Sequence, residues 1–198
     1  MTSLKCAAVL GVLAASCSAS AFAQDKAVFV FGGRFHTQHM EDILNPLGPL
    51  GLTYENNFIV GAGYQQFFLN WPQDVHIGLE AGLAGRIGES SPTFETWAGV
   101  VARYDGFVIG NKVRISPSLT FGLSAETGPV GVETLRKQLD RGDPTVLFYI
   151  GPEISVSTLD NPNFEVFTRV QHRSGAWGRL GGMGDGANAS VLGLRWKM

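Results

Sequence analysis

The sequence predicts an all-β fold, namely an eight-stranded antiparallel transmembrane β-barrel of the outer-membrane type. Eight runs of residues alternate between apolar side chains and side chains that are charged or very small. Even-numbered connections between the runs are short, whereas three of the others are long. Both features are typical of barrels that cross a bilayer with tilted strands of about ten residues.

The chain begins with a segment that has the form of a secretory signal peptide, residues 1–23. A single lysine precedes an apolar centre at residues 7–15, and Ala21-Phe22-Ala23 completes the pattern. We therefore expect cleavage before Gln24 and one exported domain, residues 24–198. A lipoprotein signal is the alternative, but its apolar residue lies one place too far from the cysteine.

The composition limits the chemistry and the partners that we expect for the exported domain. Both cysteines, Cys6 and Cys17, lie in the signal segment, so the exported domain has no thiol for disulfides, metal binding or nucleophilic attack. The formal net charge is −2, which gives no reason to expect a nucleic-acid partner. We expect outer-membrane lipids as partners and no cofactor or metal, and the sequence leaves the oligomeric state open.

The run DVHIGLEAGLAGRIG shows the alternation clearly. Leu79 and Leu83 fall on one parity, whereas Glu80 and Arg86 fall on the other, which predicts a strand with one apolar face. The seven further runs lie at Lys26–Phe35, Asn57–Phe68, 94–104, 112–123, Thr145–Val156, Asn163–His172 and Ala189–Met198.

The polar parity carries charges of both signs, and we expect them to pair inside the barrel while the apolar parity faces lipid. These residues are Glu80, Glu95, Arg103, Arg114, Glu153, Glu165, Arg169 and Arg195. The alternative is a soluble ligand-carrying barrel, which would be apolar within and charged outside. Pro117 and Pro152 fall inside runs and suggest local bulges or a misplaced strand boundary.

The connections predict which end of the barrel faces outward. The short connections are NWPQD, DGFVIGNK and TLDNPN, and the long ones are Thr37–Asn56, Ala125–Pro144 and Ser174–Asn188. Outer-membrane barrels have short periplasmic turns and long outer loops. We therefore expect the protein in the outer membrane of a Gram-negative bacterium, with these long connections outside.

Three polar residues converge near the outer end of the last two runs. His172 and Ser174 continue the lipid-facing parity of their run, and antiparallel pairing brings Asn188 beside His172. A histidine held through one nitrogen can take a serine proton with the other, and glycine N–H groups can bind an oxyanion. The pattern alone also fits polar rim residues that meet interfacial water.

Two other outer segments carry polar candidates. His36 and His39, with acidic residues at 41 and 42, could bind a cation or be solvated rim residues. The segment VGVETLRKQLDRGD could form a short amphipathic helix that presents Arg136, Lys137 and Arg141 to lipid phosphates, or a solvated loop.

The segment His172-Arg173-Ser174-Gly175-Ala176 resembles the His-x-Ser-Asn-Ala motif of the PagL-like lipid A 3-O-deacylases, the acyloxyacyl hydrolase family. ETWAGVVARYDGF and FGLSAET are similar to the family's middle strands. The resemblance extends over nearly the whole exported chain in strand number and order. It implies an eight-stranded outer-membrane barrel with its active site on the lipid-facing surface.

By that resemblance, Ser174 is the nucleophile, His172 the general base, and the ester-linked 3-position acyl chain of lipid A the substrate. Gly175 replaces the motif's asparagine, and Asn188 or Asp185 stands where the family has a glutamate. The sequence thus predicts a lipid A esterase with Ser174, His172 and Asn188 as site residues. The alternative is a non-catalytic barrel with a structural or adhesion role.

Overall fold

The computed structural model describes residues 26–40, 42 and 51–198. The predicted signal peptide lies outside the described residues, so its cleavage stays a prediction. The strands are β1 (Lys26–His36), β2 (Tyr54–Trp71), β3 (Val75–Gly88), β4 (Thr93–Tyr104), β5 (Phe107–Ile109), β6 (Val113–Glu126), β7 (Val146–Thr158), β8 (Asn161–Ser174) and β9 (Asn188–Lys197). A helix, α1, spans Val132–Asp140.

The eight long strands form a closed antiparallel barrel. Their order is β4-β3-β2-β1-β9-β8-β7-β6, and β4 pairs with β6 to close it. The predicted eight-stranded barrel is therefore confirmed. The structure adds β5, a short strand that pairs with β6 inside a connection predicted as a plain turn. This ninth strand extends the sheet at the end where the short connections lie.

The predicted inward and outward parities are confirmed. Leu83 on β3 is 65% exposed, whereas its near neighbour Glu80 is 1% exposed. Exposed apolar residues continue around the barrel at Val60, Val100, Phe121, Ile154 and Leu192. Because the charged residues lie inside and the apolar ones outside, the soluble ligand-carrying barrel is excluded.

Ion pairs cross the lumen at several levels. Arg169 on β8 contacts Glu80 on β3, the strand opposite, with 2.6 Å between Nη1 and Oε1. It also contacts Glu153 at 2.7 Å, and Arg195 contacts that same carboxylate at 2.7 Å. Removing one partner of such a buried pair leaves an uncompensated charge, which costs about 3–5 kcal/mol.

The two strand prolines do not create bulges, so that expectation was wrong. The ladder between β6 and β7 keeps one register through Pro117 and Pro152. β6 pairs with β4 as far as Ser118 and with β5 from Ile115. Pro117 thus lies where β6 exchanges one neighbour for another, a position at which a missing N–H interrupts no continuous ladder.

Helix α1 covers the outer mouth of the barrel. Its Glu133 side chain is fully buried and lies 2.6 Å from both Arg86 and Arg173 of the lumen. Burial raises the pKa of Glu133, but these two guanidiniums outweigh burial and hold that pKa below its ordinary value. Within residues 26–40, 42 and 51–198, no helix has the length and apolar character needed to span a membrane.

Candidate functional site

The predicted site lies at the outer end of β8, where three strands meet in register. His172 on β8 pairs with Asn188 on β9, which pairs in turn with His36 on β1. His172 shares its parity with Val166, which is 42% exposed on the lipid-facing side. The predicted juxtaposition of His172 and Asn188 on the outer face is therefore present in the structure.

Asn188 holds the imidazole of His172 in one tautomer. Nδ2 of Asn188 donates to the backbone carbonyl of Gln38 at 2.9 Å, and Oδ1 lies 2.5 Å from Nδ1 of His172. The Gln38 carbonyl can only accept, so it fixes the amide orientation and turns Oδ1 toward the ring. Nδ1 must then carry the proton, which leaves Nε2 of neutral His172 unprotonated.

Asp185 is the carboxylate next to this pair. Its Oδ1 lies 4.0 Å from Nδ1 of His172, beyond hydrogen-bond distance. Its Oδ2 lies 2.7 Å from Nδ1 of His39 and 3.2 Å from Nη1 of Arg136. Asp185 precedes β9 and reaches the outer face from the loop, so both sequence candidates for the third role lie beside His172.

Ser174 ends β8 on the same face as His172. Its Oγ donates to the Gly184 carbonyl at 3.4 Å and accepts the Ala176 N–H at 3.1 Å. Among the described residues, no hydrogen bond joins Ser174 to His172. Catalytic hydrogen bonds are often long without substrate and shorten in the complex.

The loop after Ser174 is more tightly hydrogen-bonded than the glycines suggested. The N–H groups of Gly178, Gly184 and Gly186 bind Met183 O, Asp140 Oδ2 and Arg173 O. These three N–H groups are therefore not available to an oxyanion, whereas the Ala176 N–H points at Ser174 Oγ, beside the place where an oxyanion would form. Ala176 and Trp177 have φ of 50° and 58°, a conformation that is uncommon outside glycine and clusters at functional sites.

Gly175, where the resembled motif has asparagine, has no room for a side chain. A Cβ there would collide with the carbonyl oxygen of Met183 and lie 2.6 Å from that of Leu180. The loop conformation therefore requires glycine, and an asparagine would need a different path.

An open groove of about 780 Å³ contains Ser174 and one side of His172. Phe121 and Phe148 form its apolar floor, with rings stacked at 6.0 Å, and Ile150 continues this floor on β7. Trp177 and Arg179 stand at its loop side. An acyl chain fits the chemistry of the floor, and an ester carbonyl fits the polar end.

Helix α1 confirms the predicted short helix, but His36 and Arg136 differ from their expected exposed positions. His36 is fully buried, with both ring nitrogens unpaired among the described residues, so it is not a solvated rim residue. No group of metal ligands is present in the described ranges, and residue 41 of the predicted cation cluster lies outside them. Arg136 is also turned inward and donates to Gly186 O at 2.6 Å and Thr37 O at 3.1 Å, which excludes it from lipid phosphates.

Sequence reasoning missed Gln38 and the true role of Arg136 in this site. Gln38 acts through its backbone carbonyl, which no side-chain pattern reports. Arg136 lies three residues after Glu133 on α1, and residues at that spacing share one helix face. Both side chains are buried, so this spacing was the available signal for the inward position of Arg136. The positions of both residues in the site depend on how three outer loops pack together.

The fold and the charged, filled interior define an eight-stranded outer-membrane barrel. No family model matches the sequence, and no curated protein matches it significantly. Among solved structures, the chain is similar to the outer membrane enzyme PagL, with a TM-score of 0.58, 13% identity, and coverage of 87% of this chain and 99% of that one.

It is also similar to Neisserial surface protein A (NspA), with a TM-score of 0.52, 14% identity, and coverage of 88% of this chain and 97% of that one. These structural likenesses show the fold, and a fold of the outer-membrane type supports the predicted location in a Gram-negative outer membrane. They leave the activity to the chemistry of the site.

Proposed function

We propose that the protein is an outer-membrane esterase that removes an ester-linked acyl chain from lipid A, at the 3-position by resemblance to the PagL-like family. One observation carries the proposal: Asn188 leaves Nε2 of His172 free as a base, two residues from Ser174 on the same strand face. The apolar groove beside Ser174 suits an acyl chain presented from the membrane.

The reaction follows from these positions. Nε2 of His172 takes the proton of Ser174 Oγ, and Oγ bonds to the ester carbonyl carbon. The Ala176 N–H donates to the oxyanion that forms. When the tetrahedral intermediate collapses, the C–O bond to the sugar breaks and the His172 proton passes to the leaving sugar oxygen. His172 then takes a proton from water, and the water oxygen bonds to the acyl carbon. The bond from that carbon to Oγ breaks, the fatty acid leaves, and His172 returns the proton to Ser174 Oγ.

In this proposal, Asn188 and Asp185 share the role of the third residue beside Ser174 and His172. Asn188 orients the ring but adds no charge, whereas the Asp185 carboxylate at 4.0 Å stabilises the imidazolium that forms. Arg136 and His39 hold Asp185 in place and also reduce the charge that it offers. We therefore expect slower turnover than in a site where a carboxylate bonds directly to histidine.

The test is the mass spectrum of lipid A from cells that make the protein. Wild type should remove the mass of one acyl chain, whereas Ser174→Ala and His172→Ala should each leave lipid A intact. Both variants should migrate on gels as folded, heat-modifiable barrels, because neither side chain takes part in the ion pairs that cross the lumen. Intact lipid A in wild-type cells, and from purified barrel in detergent, would refute the esterase.

A non-catalytic envelope barrel is the second candidate, and one observation favours it. His172 has no carboxylate hydrogen-bonded to it among the described residues, and Ser174 Oγ is occupied by Gly184 and Ala176. In that case, Ser174→Ala would change no lipid, and the groove would serve binding alone.

A further inference from the structure

One strand arginine departs from the rule that charges point into the lumen. Arg86, Arg103, Arg169, Arg173 and Arg195 are buried and ion-paired with carboxylates. Arg34 on β1 lies on the outward parity instead, with Val28 and Val30, which are 40% and 46% exposed. A cation on this face is costly unless it lies near the interface and finds an anion.

The Arg34 guanidinium is held in place by neutral groups. Nε donates to the Glu55 backbone carbonyl at 2.5 Å, and Nη2 donates to Asn56 Oδ1 at 2.7 Å. The guanidinium also lies 5.6 Å and 5.4 Å from the ring centroids of Tyr54 and Phe58. These contacts fix its orientation and leave its charge uncompensated.

The neighbouring carboxylates are engaged elsewhere. Glu55 turns its carboxylate to the Val132 N–H at the start of α1 and to Asn57 Nδ2. Glu89 reaches the network through Asn56 Nδ2, at 2.8 Å, rather than through Arg34. Within the described part of the chain, no carboxylate forms an ion pair with Arg34. Nη1 forms no hydrogen bond there either.

Arg34 borders a second outer groove, next to the proposed site. This groove of about 540 Å³ lies over Gly32, Thr168 and Ser190, whose small side chains recess the lipid-facing surface. Arg34 pairs with Ser190, two residues along β9 from Asn188. Arg34 on β1 is separated from His172 on β8 by the single strand β9. The two outer strands are about 10 Å apart across the sheet, a distance that a disaccharide head group spans.

We propose that Arg34 and this groove form a phosphate subsite for the head group of lipid A, an inference that rests on the proposed function. A fixed guanidinium with free N–H groups binds phosphate through charge-assisted hydrogen bonds, which are directional and strong. The recessed floor lets a sugar approach the strands while its acyl chains follow the apolar surface. The subsite therefore selects phosphorylated over phosphate-free lipid A.

The experiment measures binding apart from activity. Full-length barrel carrying Ser174→Ala, in zwitterionic detergent, is titrated with phosphorylated lipid A and with the same lipid stripped of phosphate. Adding Arg34→Gln should weaken binding of the phosphorylated lipid about tenfold, the effect of losing charge-assisted hydrogen bonds. It should leave the stripped lipid unchanged. Arg34→Lys, which keeps the charge but not the fork, should fall between.

Controls separate the outcomes. Lys112→Gln removes one exposed charge from the opposite end of the barrel and should change neither affinity. Heat-modifiable migration verifies folding, and Arg34→Lys carries the test if Arg34→Gln does not fold. Equal effects on both lipids, or none, would overturn the subsite. Because binding is measured without turnover, a failed esterase would show separately as a wild type that releases no acyl chain.

Discussion

The neutral amide of Asn188 hydrogen-bonds to His172, whereas the Asp185 carboxylate lies 4.0 Å from the same ring nitrogen. Asn188 sets the tautomer because the Gln38 carbonyl fixes its orientation. In serine triads, replacing the orienting acid by an amide lowers kcat about 10⁴-fold because the wrong tautomer results. In this protein the Asn188 amide turns its oxygen toward Nδ1 of His172, so the proton stays on Nδ1. The expected loss of rate therefore comes from the missing negative charge and not from the wrong tautomer.

Substitutions at the two positions should separate these contributions. Asn188→Ala should lower kcat on lipid A by about 10³-fold or more, since both ring orientation and tautomer are lost. Asp185→Asn should lower it about tenfold, because it removes a charge that does not hydrogen-bond to the ring. Steady-state acyl release measures both.

Asn163→Ala, the same change at the exposed periplasmic end of β8, serves as the control and should keep full activity. Full activity in Asn188→Ala together with inactive Asp185→Asn would instead assign the orienting role to Asp185.

At the scale of elements, the strands were predictable and the loops were not. Parity is a local property, so Leu83 and Glu80 could be assigned to opposite faces, and antiparallel pairing then placed Asn188 beside His172. The contacts of Arg136 depend on three outer loops meeting in space, which no alternation encodes. β5 was missed because three residues are too few to show a period.

Helix α1 is held on the barrel by ion pairs with two lumen arginines. Glu133 is its anchor, and Glu133→Gln should weaken the docking because Arg86 and Arg173 lose a shared carboxylate. Trypsin should then cleave after the exposed Lys137 and Arg141 about tenfold faster at pH 7.5, as expected when a docked segment opens more often.

Gln138 lies on the exposed side of the same helix, so Gln138→Glu serves as a charge-changing control that should not alter cleavage. Since the Glu133 pKa is lowered by folding, its contribution is complete above a pH of about 4.3 and is lost only as pH falls through the lowered pKa. Wild-type protection that declines already between pH 8 and 6 would argue against this anchor.

At the scale of the whole molecule, the bilayer should determine what each outward position tolerates. Leu79, 55% exposed near the middle of β3, and Ile109, 59% exposed on β5, both face outward. Lysine should destabilise the barrel by about 2–4 kcal/mol at the first position and about 0–1 kcal/mol at the second, since the cost falls from midplane to interface. Urea unfolding in lipid vesicles measures the difference, and equal costs would contradict this placement.

The ion pairs that cross the lumen also bear on what the protein does to the cell that carries it. Arg169 meets Glu80 from the opposite wall, and Trp97 and Tyr149 stack at 5.6 Å in the same interior. Side chains, rather than solvent, fill the path that a solute would take. A cell can therefore place many copies of this barrel in its permeability barrier without opening a leak to antibiotics or detergents.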